Sequence, residues 1–165
     1  MKTLEDFLDA LAKRESNGDY QAFNSYGYAG KYQMGEMALV DCGYYQKKSC
    51  KYNNDWSGKF LGKDCVNSVQ DFLKNPLAQE NAIRIYLKKQ WKYLKALGAI
   101  KFLGQIINGY KITESGLLAG AHLKGCGSVM VYLKSGGKNI GRDAFGTSVE
   151  SYIKNFADYD LSEIL

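Results

Sequence analysis

The stretch from Asn75 to Gly98 constrains the fold more than any other. Asn75-Pro76 joins a capping side chain to a proline at the first helical position, where the missing N–H would have had no intrahelical partner. From there Ile83, Tyr86, Leu87, Trp91 and Leu94 recur with the spacing of a broad buried stripe, and Gly98 ends the run. The spacing predicts a helix over 76–97, the longest in the chain. An apolar stripe of that width has to be covered by other elements, so a long central helix in a mainly α domain is expected.

The neighbouring segments read the same way. Leu4, Leu8 and Leu11, with Phe7 beside them, predict a first helix from Thr3 to about Ser16, with Thr3 and Asp6 as a capping pair and Asn17-Gly18 as its stop. Residues 18–31 read as loop, with room for a small irregular hairpin near 18–32. Further helices are expected over 33–42, closed by Gly43, and over 68–74. A short helix follows near 100–107, with Asn108-Gly109 as a turn, and Thr113 caps another over 114–124. Ser128 is expected to cap a helix to Leu133, and Thr147 a last one to about Tyr159. The expectation is one domain over residues 1–165, with about eight helices and at most a small β element.

Apolar residues make up 45% of the 165 residues and charged residues 24%, which is the composition of a folded globular chain rather than a disordered one. No apolar run reaches membrane-spanning length, so no membrane insertion is expected. The polar N-terminus lacks the apolar block of a secretory signal. The net charge of +5 comes from scattered lysines; Lys88, Lys89, Lys92 and Lys95 read as a solvated helix face rather than a nucleic-acid groove, so nucleic acid is not an expected partner. Cys42, Cys50, Cys65 and Cys126 lack zinc or redox spacing, and His122 is the sole histidine, so neither a metal nor a cofactor is expected. A Cys50–Cys65 disulfide would shorten the irregular stretch 43–64 and imply an oxidising compartment; reduced, mostly buried thiols are the alternative.

Glu15 is the residue on which chemistry converges. It falls four residues after Leu11 and seven after Leu8, on the apolar face of the first helix. Burial there disfavours the charged form of a carboxyl, which suits a general acid. A last-turn Glu paired with Arg14 or Lys13 is the structural alternative. After Glu15-Ser16 come a Gly- and Tyr-rich loop and Gly30-Lys31-Tyr32-Gln33-Met34-Gly35.

This combination resembles the lysozyme superfamily, most closely its lytic transglycosylase branch and related phage and bacterial toxin muramidase domains. Glu15-Ser16 matches the family's Glu-Ser helix end, and Gly30-Lys31-Tyr32-Gln33-Met34 its Gly-x-x-Gln-aliphatic element. Ala121-His122-Leu123 stands where those enzymes carry Ala-Tyr-Asn, and the C-terminal Gly146-Thr147, Tyr152, Phe156 and Tyr159 look like the ends of such modules. The resemblance implies an α+β lysozyme-like, bilobal helical domain that cleaves the β-1,4 bond between N-acetylmuramic acid and N-acetylglucosamine, with Glu15 as general acid. It implies that Gln33 binds the saccharide. Tyr28 and Tyr32 are expected to line the cleft, since aromatic faces stack on sugar rings. His122 replaces the family's tyrosine and Leu123 its asparagine, which leaves His122 either as a substrate-side or Glu15-tuning residue or as a core histidine.

A second carboxylate is not marked by motif; Asp19, Glu36, Asp41 and Asp55 are the candidates. Hydrolysis by water and closure of an anhydro ring by the sugar's own hydroxyl therefore both stay open. The expected partners are the glycan strands of peptidoglycan and, for a delivered toxin, an immunity or inhibitor protein that occludes the cleft. The chain is expected to be a monomer, made in the cytoplasm and delivered to the wall in the periplasm or outside the cell. The alternative function is a non-catalytic wall-binding or assembly module on the same fold.

Overall fold

A computed structural model describes residues 2–49, 51 and 53–165. The protein is mainly α, with seven α-helices and two two-stranded antiparallel ladders among the described residues. It divides into two compact units, Asp9–Lys89 and Met1–Leu8 with Gln90–Leu165. None of the helices is long and apolar enough to cross a membrane among the described residues.

Two helices contribute residues to both units. The first, α1 (Leu4–Ser16), opens as expected: Thr3 Oγ1 accepts from the Asp6 amide at 3.2 Å, and Asp6 Oδ2 accepts from the Thr3 amide at 2.8 Å. Leu4, Phe7, Leu8, Leu11 and Ala12 are its buried stripe, and Asn17 and Gly18 leave it with left-handed φ of 57° and 80°. The long helix, α4 (Pro76–Ala96), is 21 residues; Asn75 Oδ1 caps it by accepting from the Ala78 amide at 3.0 Å. Its Ile83, Tyr86, Leu87, Trp91 and Leu94 are buried, while Lys88, Lys92 and Lys95 face solvent.

In the unit Asp9–Lys89, α2 (Glu36–Asp41) and α3 (Val69–Leu73) flank the ladder of β1 (Tyr45–Gln46) with β2 (Lys59–Phe60), in which Tyr45 pairs with Phe60. Helix α2 starts three residues later than the sequence pattern predicts, because Gln33 takes a left-handed φ of 51° that no helix admits. The β element expected near 18–32 is reduced to single bridges, Phe23 with Ala29 and Ala29 with Met34. The buried Cys42 thiol donates to the Ala82 carbonyl at 3.2 Å, and burial pushes its pKa up to about 12. Cys65 is exposed. The expected Cys50–Cys65 disulfide involves Cys50, which lies outside the described residues, as does Tyr52.

In the other unit, α5 (Glu114–Lys124), α6 (Cys126–Lys134) and α7 (Val149–Asn155) form the core. A Cβ on Gly116 would stand 2.8 Å from the Ile153 carbonyl oxygen, so the small residues of α5 serve close helix packing. The buried Ser115 hydroxyl donates to the Phe156 carbonyl at 2.6 Å and accepts from the Tyr159 amide at 3.1 Å. Three sequence expectations give way here. The segment 100–107 is not one helix but a 3-10 turn, Ala99–Phe102, followed by β3 (Ile106–Ile107), which pairs with β4 (Tyr110–Lys111). Asn108-Gly109, with φ of 52° and 85°, has the two positive φ values that a tight hairpin demands. Helix α6 begins at Cys126, directly after Gly125, instead of at a Ser128 cap. Helix α7 is capped by Ser148, not Thr147, and ends at Asn155.

Candidate active site

Glu15 is the penultimate residue of α1, within the unit Asp9–Lys89, and is half-buried, four residues beyond the fully buried Leu11. The next residue ties this helix end to the second sequence element. The Ser16 hydroxyl donates to the Lys31 carbonyl at 2.6 Å and accepts from the Asp19 amide at 3.1 Å. A turn of loop is thereby closed onto the helix terminus, and the Glu15-Ser16 and Gly30–Gly35 segments form one assembly.

Gly30 is required there twice over. Its φ of 83° is left-handed, and a Cβ would sit 2.3 Å from Gln79 Oε1. That oxygen accepts from the Lys31 amide at 2.8 Å, while Gln79 Nε2 donates to the carbonyls of Tyr20 at 2.9 Å and Phe72 at 2.8 Å. Gln79 is 1% exposed, so one buried amide on α4 fixes both ends of the loop between Glu15 and Gln33.

Gln33 is half-buried in its left-handed turn. Its Nε2 donates to the carbonyls of Gly30 at 2.9 Å and Ala22 at 3.3 Å. Both amide hydrogens are therefore committed to the loop, and Gln33 can meet a ligand through Oε1 as an acceptor of hydroxyl or amide hydrogens. Tyr28 is exposed and available for stacking. Tyr32 is not. Expected to line the cleft, it is 1% exposed and sends its hydroxyl to Glu80 Oε2 at 2.8 Å, because its ring is needed as core behind the loop. His122 is half-buried on α5, in the other unit.

Glu80 is the electrostatic centre behind the loop. It accepts from Tyr20, Tyr32, Lys31 at 2.8 Å and Arg84 at 3.2 Å. Burial pushes its carboxyl up, but the bonds from Lys31, Tyr32 and Tyr20 and the Lys31 charge outweigh burial, and the net shift is downward. Burial likewise pushes Lys31 down while Glu80 pulls it up further. Tyr32 is pushed well above the ordinary tyrosine range, by burial and by its bond to Glu80. Neither Gln79 nor Glu80 was an expected site residue. The signal for Gln79 was present, since a glutamine stands in phase with the buried Ile83, Tyr86 and Gln90.

The candidate second carboxylates have different surroundings. Asp19 is exposed and accepts from the Gln21 amide at 2.8 Å. Asp41 is half-buried at the end of α2. Glu36 is 1% exposed; its Oε1 accepts from the Asp55 amide at 3.0 Å, and the Tyr45 hydroxyl bonds to it. Burial first, and that bond second, push Tyr45 up to about 12. Asp55 is exposed and held below the ordinary aspartate range, chiefly by the Ser57 amide. Among the described residues no group of three or more His, Cys, Asp or Glu is placed to hold a metal ion. Compared with protein-family models, curated proteins and solved structures, the chain matches none.

Proposed function

We propose that the chain is a peptidoglycan-cleaving glycosidase, a muramidase in the broad sense, with Glu15 as the proton donor to the glycosidic oxygen. The observation that carries this reading is the Ser16–Lys31 bond, which makes one assembly of the half-buried Glu15 helix end and the Gly30–Gly35 loop. A carboxyl at a helix end tied to the loop that carries an acceptor amide supplies the two groups needed to protonate a leaving group and to hold a sugar. Gln33 serves as the acceptor and Tyr28 as an exposed aromatic face. The glycan strand is the partner, and an immunity or inhibitor protein covering Glu15 is the partner that toxin delivery requires.

Loss of turbidity of purified cell walls tests the reading. Glu15→Gln is expected to slow lysis by about 10²–10⁴, the usual contribution of a general acid. Equal rates for wild type and variant would remove Glu15 from the chemistry, and binding of the walls without lysis by either would favour the wall-binding module instead. Mass analysis of the released fragments separates the two outcomes, anhydro-muramic ends for a transglycosylase and reducing ends for a hydrolase.

A further inference from the structure

The unit Asp9–Lys89 carries a second concave surface, apart from the Glu15 helix end. An open groove of about 670 Å³ is lined by Phe23, Trp56 and Phe60 and by the polar side chains of Asp55, Asn67 and Gln70. The volume lies in the range of small-ligand sites. None of Glu15, Gln33, Tyr28, Tyr32 and His122 lines it.

The aromatic rings are fixed in advance. Trp56 and Phe60 lie nearly parallel, with ring centroids 5.9 Å apart and 17° between planes, and Tyr45 meets both edge-on. The indole N–H of Trp56 donates to the Gly27 carbonyl at 2.8 Å, which sets the ring's rotation. The loop that carries it is pinned at successive residues. Asn54 Oδ1 accepts from the Glu36 amide at 2.8 Å, Asn54 Nδ2 donates to the Tyr26 carbonyl at 3.1 Å, and the Asp55 amide donates to Glu36 Oε1. Gly27 admits this packing, since a Cβ there would stand 2.3 Å from the Asn54 carbonyl oxygen. Asn54 and Trp56 both hold left-handed φ, 51° and 56°, which side chains other than glycine rarely adopt. A loop so constrained presents aromatic surface that needs no reordering when a ligand arrives.

We propose that this groove binds a pyranose ring of a glycan, stacked on the Trp56–Phe60–Phe23 aromatic surface, with Asp55, Asn67 and Gln70 meeting its hydroxyl and amide groups. A pyranose has an apolar C–H face and a polar rim, and the groove has the complementary division. Aromatic faces take the first, and a carboxylate acceptor and two amides take the second. Glu36 is a positioning residue for this site, acting through the Asp55 amide and Tyr45. The proposal stands apart from the Glu15 reading, because the groove can bind a sugar whether or not Glu15 cleaves one.

Titration of N,N′,N″-triacetylchitotriose into the full-length Glu15→Gln protein tests it, read by tryptophan fluorescence and by calorimetry. Trp91 is only 6% exposed, so Trp56 should report occupancy. A saturable fluorescence change is expected. Trp56→Ala should weaken calorimetric binding by roughly tenfold or more, a difference set by one lost stacking face. Phe23→Ala and Gln70→Ala, at exposed positions that leave the fold intact, should each weaken it several-fold. No saturable binding at millimolar sugar, or equal affinity in wild-type groove, Phe23→Ala and Gln70→Ala, would overturn the proposal. Lysis by the wild-type protein without such binding would overturn it alone, whereas binding without lysis would overturn only the Glu15 reading.

Discussion

Replacing Gln79 by leucine isolates what one buried amide does for the loop between Glu15 and Gln33. Leucine is close to glutamine in volume, so the change removes hydrogen bonds without opening a large cavity. Three bonds of 2.8–2.9 Å disappear, to Lys31, Tyr20 and Phe72. The Phe72 carbonyl keeps a bond from the Asn75 amide at 3.1 Å, so the cost falls chiefly on the Lys31 amide and the Tyr20 carbonyl. At about 1 kcal/mol net per bond, with more for a buried group left alone, the loss is about 3 kcal/mol. An unfolding entropy of roughly 2.1 cal/mol/K per residue over 165 residues gives roughly 0.35 kcal/mol/K, hence a fall in Tm of about 9 °C. Thermal denaturation measures the fall, and amide hydrogen exchange locates it: the Lys31 N–H should lose protection while α4 keeps its own. A fall smaller than about 3 °C, corresponding to about 1 kcal/mol, together with an unchanged Lys31 amide, would refute the assignment of Gln79 as the clamp.

Two other perturbations bear on the same loop. Gly30→Ala forces a Cβ against Gln79 Oε1 and a left-handed alanine, and should destabilise by about 2–3 kcal/mol; urea denaturation with an unchanged slope measures it, and a loss under roughly 0.5 kcal/mol would contradict the close approach. Glu80 titrates below its ordinary value of 4.5 when folded, so its ionised form stabilises the fold above that pH, and the stabilisation is lost as pH falls through the lower folded value. Denaturation midpoints between pH 3 and 6 should therefore fall less steeply for Glu80→Gln than for wild type, and parallel curves would count against the cluster.

The parts of the fold legible in the sequence were those governed by local rules. The Thr3–Asp6 pair, the Asn75-Pro76 start and the Thr113 cap each involve partners three residues apart, and each stands where the pattern put it. The misread parts depend on distant partners. Gln33 looks helical in sequence, but bonds from its side chain to Gly30 and Ala22 hold it in a turn. Tyr32 looked like a cleft residue because nothing nearby announces Glu80, 48 positions away. The strand at Ile106 was hidden by apolar residues that fit a helix equally well, and only its Asn-Gly turn argued otherwise. The groove at Trp56 had no sequence signature beyond an aromatic in an irregular stretch; its loop is ordered by bonds from Asn54, Asp55 and Trp56 to Glu36, Tyr26 and Gly27 on separate segments.

The Asn108-Gly109 hairpin also bears on how the molecule ages. Asparagine followed by glycine is the pair at which a backbone nitrogen most readily attacks a side-chain amide, since glycine leaves that nitrogen unshielded. Here Asn108 Nδ2 donates to the Gly137 carbonyl at 2.9 Å and to Glu150 Oε2 at 2.5 Å, which holds the amide out of the path of attack while the hairpin is closed. Deamidation would set a new carboxylate beside Glu150 and remove the donor to Gly137. Shelf life at this turn should follow how often the hairpin opens rather than how exposed its tip is, and peptide mass mapping of stored protein would register the change at Asn108.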